Sequence, residues 1–206
     1  EDKRLKELYK LNPTAFEKEI AHTKKRLLTD LDEFIISEKP SEAFIHIALA
    51  NINYNYYSRK ELYLSSKKRA NNNNKIKYPE NFFTYRDSLD LNDNTLKNYY
   101  TYHQFINRYL DNLAYQGHTK KEPTFNKISY WHQTQKLRLI DSLITNKQLH
   151  DNLLHNTVKR YLVHADDSQK EHDLVVLFKN LDHNEAHQKE VERYAYNTSK
   201  INAGEL

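Results

Sequence analysis

Apolar side chains recur at three- and four-residue spacing along most of the chain, which is the period of an amphipathic helix. The first example follows Asn12 and Pro13, since asparagine is typical of a helix N-cap and proline of the first helical position. Apolar positions from Phe16 onwards continue this period, and the helix is predicted to end near Lys39. Pro40 begins the next predicted helix, and the short connection favours an antiparallel pair.

The same period predicts further helices as far as residue 196. They are a short helix after Pro79, one capped by Asp93 or Asn94 and ended by Gly117, one after Pro123, one beginning at Asn146, and two around residues 174–181 and 185–196. Residues 67–74 are polar and of low complexity, and we interpret them as an exposed loop. Strand signals are sparse, and no fixed repeat is found.

These elements predict an all-α fold. It is an irregular multi-helix bundle or an array of antiparallel helical hairpins, with about seven to nine helices. The predicted helical domain covers residues 1–196. Residues 197–206 lack a helical period and are interpreted as a linker-like tail towards a further domain.

Composition restricts the chemistry. The 206 residues include two glycines and no cysteine, which excludes a glycine-rich phosphate loop and any thiolate site. The net charge of +4 is spread among interspersed acidic and basic residues, so nucleic acid is not an expected partner. No apolar run is long enough to predict a transmembrane segment. Because the chain has no methionine, even at position 1, we expect a fragment or a processed product.

Histidine pairs are the candidate metal ligands. His183 and His187 are four residues apart, with Glu190 one turn further, but the segment lacks the glutamate position of an HExxH motif. We interpret the pair as solvated surface, and the alternative is a metal hydrolase. His103 is interpreted as a core or boundary residue, since no nucleophile and orienting acid accompany it. We therefore expect no catalytic residue, no metal and no cofactor in this chain. The basic stretch of residues 67–77 is a weaker candidate for contact with phosphates or anionic lipid.

Tyrosines occur in consecutive groups, and adjacent helical residues cannot all face one side of a helix. Some of these rings must therefore point away from the primary core. Two interpretations stay open: they pack against a second neighbouring helix, or they form a partner surface, at which tyrosine is enriched. The candidates for that surface are Tyr54, Tyr57, Tyr100 and Tyr102.

Three segments carry a family resemblance: the pattern YYTYHQFIN at residues 99–107, the apolar pattern of residues 144–162, and the helix near residues 191–196 followed by KINAGEL. Together they resemble the helical N-terminal region of Bacteroidetes thiol-disulfide oxidoreductases of the TlpA-like, thioredoxin-fold group. The resemblance implies that a thioredoxin domain with a Cys-x-x-Cys motif follows a short linker. That motif has no counterpart in this chain, so no redox residue is carried over.

Two functions follow as expectations. The resemblance implies a non-catalytic accessory domain of a periplasmic or cell-envelope oxidoreductase, lipid-anchored through an upstream segment. Its partners would be the covalently linked thioredoxin-like domain and a client protein or peptide. The alternative, suggested by the surplus tyrosines, is a free-standing helical scaffold that binds a peptide or a protein.

Overall fold

The computed structural model describes residues 3–70 and 76–201, with side chains at residues 5–69 and 76–195. Within these residues the fold is all-α, as predicted, and contains no strand. The helices are α1 Lys3–Lys10, α2 Pro13–Glu38, α3 Glu42–Ala70, a 3-10 helix Glu80–Ser88, α4 Tyr100–His118, α5 Tyr130–Leu143, α6 Lys147–Leu162, α7 Ser168–Leu181 and α8 Glu185–Ile201.

The chain divides into two compact units, Glu1–Tyr109 and Leu110–Leu206, and the division falls within α4. The sequence predicted one helical domain over residues 1–196, because the amphipathic period continues through α4 without a composition break. The predicted tail also differs from the structure. Helix α8 continues to Ile201, so residues 197–201 are helical, while residues 202–206, including Gly204, lie outside the described part of the chain.

The first unit is built on the hairpin of α2 and α3. The side chain of Asn12 accepts a hydrogen bond from the backbone N–H of Ala15, and Pro13 takes the first helical position, which confirms the predicted start. At the other end Lys39 adopts a left-handed conformation with φ 48°, and its N–H donates to the carbonyl of Ile35. This residue reverses the chain between the two helices.

One buried cluster of the first unit lies at the open end of this hairpin, away from its turn. Phe16 and Tyr63 stack with ring centroids 4.0 Å apart, and the Tyr63 hydroxyl donates to the carbonyl of Leu11 at 2.7 Å. Ile20 and Phe82 complete the buried cluster, and Leu8 of α1 packs against it. Helix α1 precedes every helix that the sequence predicted. It is short, and tertiary packing of its apolar face stabilises it.

Two boundaries in the first unit differ from the sequence interpretation. Residues 67–70 belong to the last turn of α3, not to a loop, and residues 71–74 lie outside the described part of the chain. The segment after Pro79 is a 3-10 helix. The Asp93 side chain accepts from the N–H groups of Thr95 and Leu96, which caps a turn, and α4 begins only at Tyr100.

Gly117 does not end α4, as the sequence suggested, but lies inside its last turn. A Cβ atom at this position would come within 2.8 Å of the Gln135 side chain. The glycine therefore allows a close approach between α4 and α5 and is not a left-handed C-cap.

The second unit packs α6 against α5, α7 and α8. Its helices begin at side-chain caps: Ser129 for α5, Asn146 for α6 as predicted, and Asp167 for α7. The buried side chains that form its core include Leu137, Ile140, Leu149, Leu153, Val158, Leu174, Phe178 and Val191.

Replacing Lys39 with glycine should stabilise the protein. A side chain in the left-handed region costs about 1 kcal/mol relative to glycine, which has no Cβ to clash. The Lys39→Gly variant should therefore unfold at a higher urea concentration than the parent. Lys39→Ala is the matched control, because it removes the same charge but keeps the Cβ. An equal gain in both variants would contradict the backbone explanation.

Candidate functional site

The turn end of the α2–α3 hairpin exposes apolar side chains from both helices. We call residues 27–49 the hairpin end. The structure describes all of these residues, and Leu31 is the only buried side chain among them. Phe34 and Phe44 lie across the turn with ring centroids 5.5 Å apart, and they remain 41% and 46% exposed. Leu27, Ile36 and Leu49 are also exposed.

The hairpin end is acidic. It contains five carboxylates and one lysine, Lys39. The carboxylates are Asp30, Asp32, Glu33, Glu38 and Glu42. None of them forms an ion pair within the part of the chain that the structure describes. An exposed apolar cluster surrounded by polar residues is typical of an interaction surface.

Three of the four candidate tyrosines lie in one aromatic cluster next to α4. Tyr54 contacts Tyr102 edge to face, with centroids 4.9 Å apart, and Tyr57 stacks on Tyr85 at 4.6 Å. Tyr102 is only 1% exposed, and its hydroxyl donates to the carbonyl of Asp90 at 2.9 Å. These rings pack the α3 face against α4 and the 3-10 helix, so Tyr102 offers no surface to a partner.

The fourth candidate, Tyr100, lies apart from that cluster. Its side chain is 77% exposed, and its hydroxyl accepts a hydrogen bond from the amide of Gln104.

Burial and the nearby carboxylate of Asp90 raise the pKa of Tyr54 to about 12, which keeps the Tyr54 hydroxyl protonated and able to donate. The structure thus does not bring the four tyrosines together on one exposed face.

A carboxylate inside the first unit is neutralised by a guanidinium. Glu61 is fully buried, and Arg86 donates to it from Nε at 2.9 Å and from Nη2 at 2.8 Å. The hydroxyl of Tyr85 also donates to Glu61, and burial together with this carboxylate raises the pKa of Tyr85. Two-point pairing of this kind fixes orientation as well as charge. Its geometry joins α3 to the 3-10 helix.

The basic stretch that begins at Lys67 faces the protein rather than solvent at its first two positions. The Lys67 ammonium lies 4.9 Å from the ring centroid of Tyr63 and donates to the carbonyl of Lys10. Burial, with the positive charge of Arg86, lowers the pKa of Lys68 to about 8. These two lysines therefore contribute to packing of the first unit.

The second unit contains its own buried carboxylate. Asp111 accepts from Lys136 at 2.7 Å and from Lys127 at 2.8 Å, and His132 Nε2 lies 3.4 Å from the same carboxylate. Burial alone would raise the pKa of Asp111, but these cationic and imidazole neighbours outweigh it and hold the pKa well below its usual range. His132 in turn contacts His118 through a 3.1 Å hydrogen bond. The network joins the end of α4 to α5.

Removing the Asp111 charge should destabilise the second unit strongly. Asp111→Asn leaves two lysines near an uncharged amide in a buried site, which costs about 3–5 kcal/mol. The control is Asp141→Asn, because the Asp141 side chain is 50% exposed and its nearest ionisable partner, His150, is 3.6 Å away. That change should cost less than about 1 kcal/mol. Chemical denaturation measures both, and equal effects would contradict a stabilising role for the buried network.

His183 and His187 do not share a helix face. His183 is exposed before α8 begins, whereas His187 lies in α8 with its Nδ1 2.9 Å from the buried carboxylate of Asp182. His187 stacks on His155 of α6, with parallel rings 4.3 Å apart. His155 Nε2 lies 3.2 Å from Glu190. The described residues contain no group of three or more histidine, cysteine, aspartate or glutamate side chains that could hold a metal ion.

Stability should fall as the pH drops below about 6.5, the ordinary histidine pKa. Burial and the neighbouring His187 lower the pKa of His155, so the unfolded chain takes up its proton at a higher pH than the folded chain does. The stabilisation is therefore complete above the unfolded pKa and declines as the pH falls through the folded pKa.

This pH dependence should weaken in His155→Gln, which cannot titrate. It should not vanish, because burial and His132 also lower the pKa of His118. Thermal melts between neutral and mildly acidic pH measure the slope. His172→Gln, at an exposed histidine of α7, is the control and should keep the parent slope. An unchanged slope in His155→Gln would refute the contribution of the stacked pair.

No protein-family model, curated protein or solved structure matches this chain. Among the helices of the described residues, none combines the length and the apolar character that crossing a membrane requires.

The sequence interpretation missed the hairpin end, although the sequence contains a signal for it. The apolar period of α2 and α3 continues up to the turn, and the polar positions among these apolar residues include five carboxylates.

Proposed function

We propose that this chain is the non-catalytic helical accessory region of an exported thioredoxin-like thiol-disulfide oxidoreductase, and that it binds the client polypeptide. The observation that carries the binding role is the hairpin end, where Phe34 and Phe44 remain exposed on a pair of long helices. The family assignment and the envelope location rest on the resemblance of residues 99–107, 144–162 and 191–206.

The buried acidic groups support a structural role for the interiors of both units. Glu61 is held by Arg86, and Asp111 is held by Lys127 and Lys136. A catalytic acid or base needs access to a substrate atom. These carboxylates instead join helices, which leaves the exposed surface to carry the interaction.

Tethering gives the proposal its physical reason. A client held by a module fused to a thioredoxin domain meets the active-site thiols at a high effective concentration. The rate of reduction then rises for clients that bind the module, while small disulfides gain nothing. This difference separates a binding module from a purely structural spacer.

The alternative is a free-standing scaffold that binds a peptide or a protein. The same exposed side chains at the hairpin end support it, and no redox domain is required. The two functions differ in what the parent gene product contains after Leu206.

Deleting residues 1–201, the helical region to the end of α8, from the parent protein should slow the reduction of its protein clients but not that of a small aromatic disulfide. The clients are first trapped as mixed disulfides by a parent variant that lacks the resolving cysteine of its Cys-x-x-Cys motif. We expect kcat/KM for a trapped client to fall about tenfold or more, because the tether is lost. Equal rates with and without the helical region, or a parent without a thioredoxin-like domain, would refute the accessory function.

A further inference from the structure

Burial along the α2–α3 hairpin changes abruptly. Near the open end, Phe16, Ile20 and Tyr63 are enclosed by α1 and the 3-10 helix. Towards the turn, Leu31 is the only side chain buried between residues 27 and 49, a stretch that the structure describes throughout. His46 and Ile47 face the segment before α4 and its first turn, where His46 pairs with Asp93 at 3.4 Å, whereas Phe34 and Phe44 stay exposed. Exposed aromatic side chains such as Phe34 and Phe44 are suited to anchor a partner, since large apolar groups dominate binding energies.

The charge at the hairpin end is mainly negative, with five carboxylates and one lysine. Elsewhere in the described residues, carboxylates often lie beside cations: Glu17 beside Lys60, Glu190 beside Lys159 and Glu192 beside Lys179. The five carboxylates of the hairpin end form no such pairs within the described residues. The full sequence, by contrast, has a net charge of +4. Clustered unpaired charge of one sign attracts a partner of the opposite sign and sets its orientation.

The structure assigns to the hairpin end a basic amphipathic polypeptide segment, whose apolar side chains contact Phe34 and Phe44 while its lysines or arginines face the carboxylates. This inference rests on the proposed function and names the chemistry of the client. A membrane surface fits less well, because an anionic leaflet repels five carboxylates. A second copy of the chain would place one acidic hairpin end against another if the contact were two-fold symmetric.

The test uses the complete chain and two labelled synthetic peptides. Both peptides have leucine at amphipathic helical spacing, and they differ only in having lysine or glutamate at the polar positions. Fluorescence anisotropy at low and high salt measures the affinity of each peptide for the parent and for the variants. We expect the lysine peptide to bind at least about tenfold more tightly than the glutamate peptide, because charge complementarity excludes the wrong partner.

Two variants test the two components of the surface. Phe34→Ser/Phe44→Ser should weaken binding of the lysine peptide about tenfold or more, since the anchors are lost. Asp30→Asn/Asp32→Asn/Glu33→Gln keeps the side-chain shapes and should weaken it several-fold, with a shallower salt dependence. Val176→Ser and Asp87→Asn, at exposed positions outside the hairpin end, should bind like the parent.

Equal affinity for both peptides, or an unchanged affinity in the carboxylate variant, would overturn the inference. So would binding to anionic lipid vesicles, or dimerisation of the parent that the Phe34→Ser/Phe44→Ser variant abolishes, since either assigns another occupant. The proposed function fails separately. If the lysine peptide does not bind, yet the phenylalanine variant slows client reduction by the parent oxidoreductase, only the client chemistry is wrong.

Discussion

Each unit of this protein depends on a buried carboxylate that cationic side chains neutralise. Glu61 is paired with Arg86 in the first unit, and Asp111 with Lys127 and Lys136 in the second. A carboxylate without such partners in a low-dielectric interior would be very costly. The pairing therefore constrains which helices can lie next to each other. In the first unit it joins α3 to the 3-10 helix, and in the second it joins α4 to α5 and the loop before it.

The composition creates a further need for polar partners in the interior, because the core includes several tyrosines. Hydrophobic residues make up 38% of the chain, and 16 tyrosines supply much of the area that can be buried. Tyrosine brings a hydroxyl into the core, and that hydroxyl needs a partner. Tyr63 donates to the carbonyl of Leu11, Tyr102 to that of Asp90, and Tyr85 to Glu61. The cores are consequently held by specific polar contacts as well as by apolar area.

Local signals made most helices predictable, because a cap acts on residues three positions away. Asn12 with Pro13 and Asn146 begin helices as predicted. Structural features that depend on contacts between residues far apart in the sequence could not be predicted. The glycine at position 117 is needed because Gln135 approaches it from α5, and nothing within α4 reveals that contact. The division into two units likewise depends on which helices pack together, while the helical period continues through α4.

The candidate site was only partly predictable for the same reason. Periodicity correctly indicated that consecutive tyrosines face more than one side of a helix, but it could not tell a second helix contact from a partner surface. Tyr102 makes the helix contact, and Tyr100 faces solvent.

At the hairpin end, the sequence pattern predicts burial but the structure shows exposed side chains. The apolar period of this segment predicts burial, yet within the described chain most of its apolar side chains are not buried, and Phe34, Ile36 and Phe44 stay exposed. The buried carboxylates Glu61 and Asp111 are paired, whereas the exposed carboxylates of the hairpin end form no ion pair within the described residues. The interior contacts combine apolar packing with a carboxylate that is paired to a cation. The hairpin end has exposed apolar side chains and carboxylates, but no cation of the described residues pairs with them. A partner that supplies apolar side chains and cations would complete at the hairpin end the kind of contact that stabilises both units.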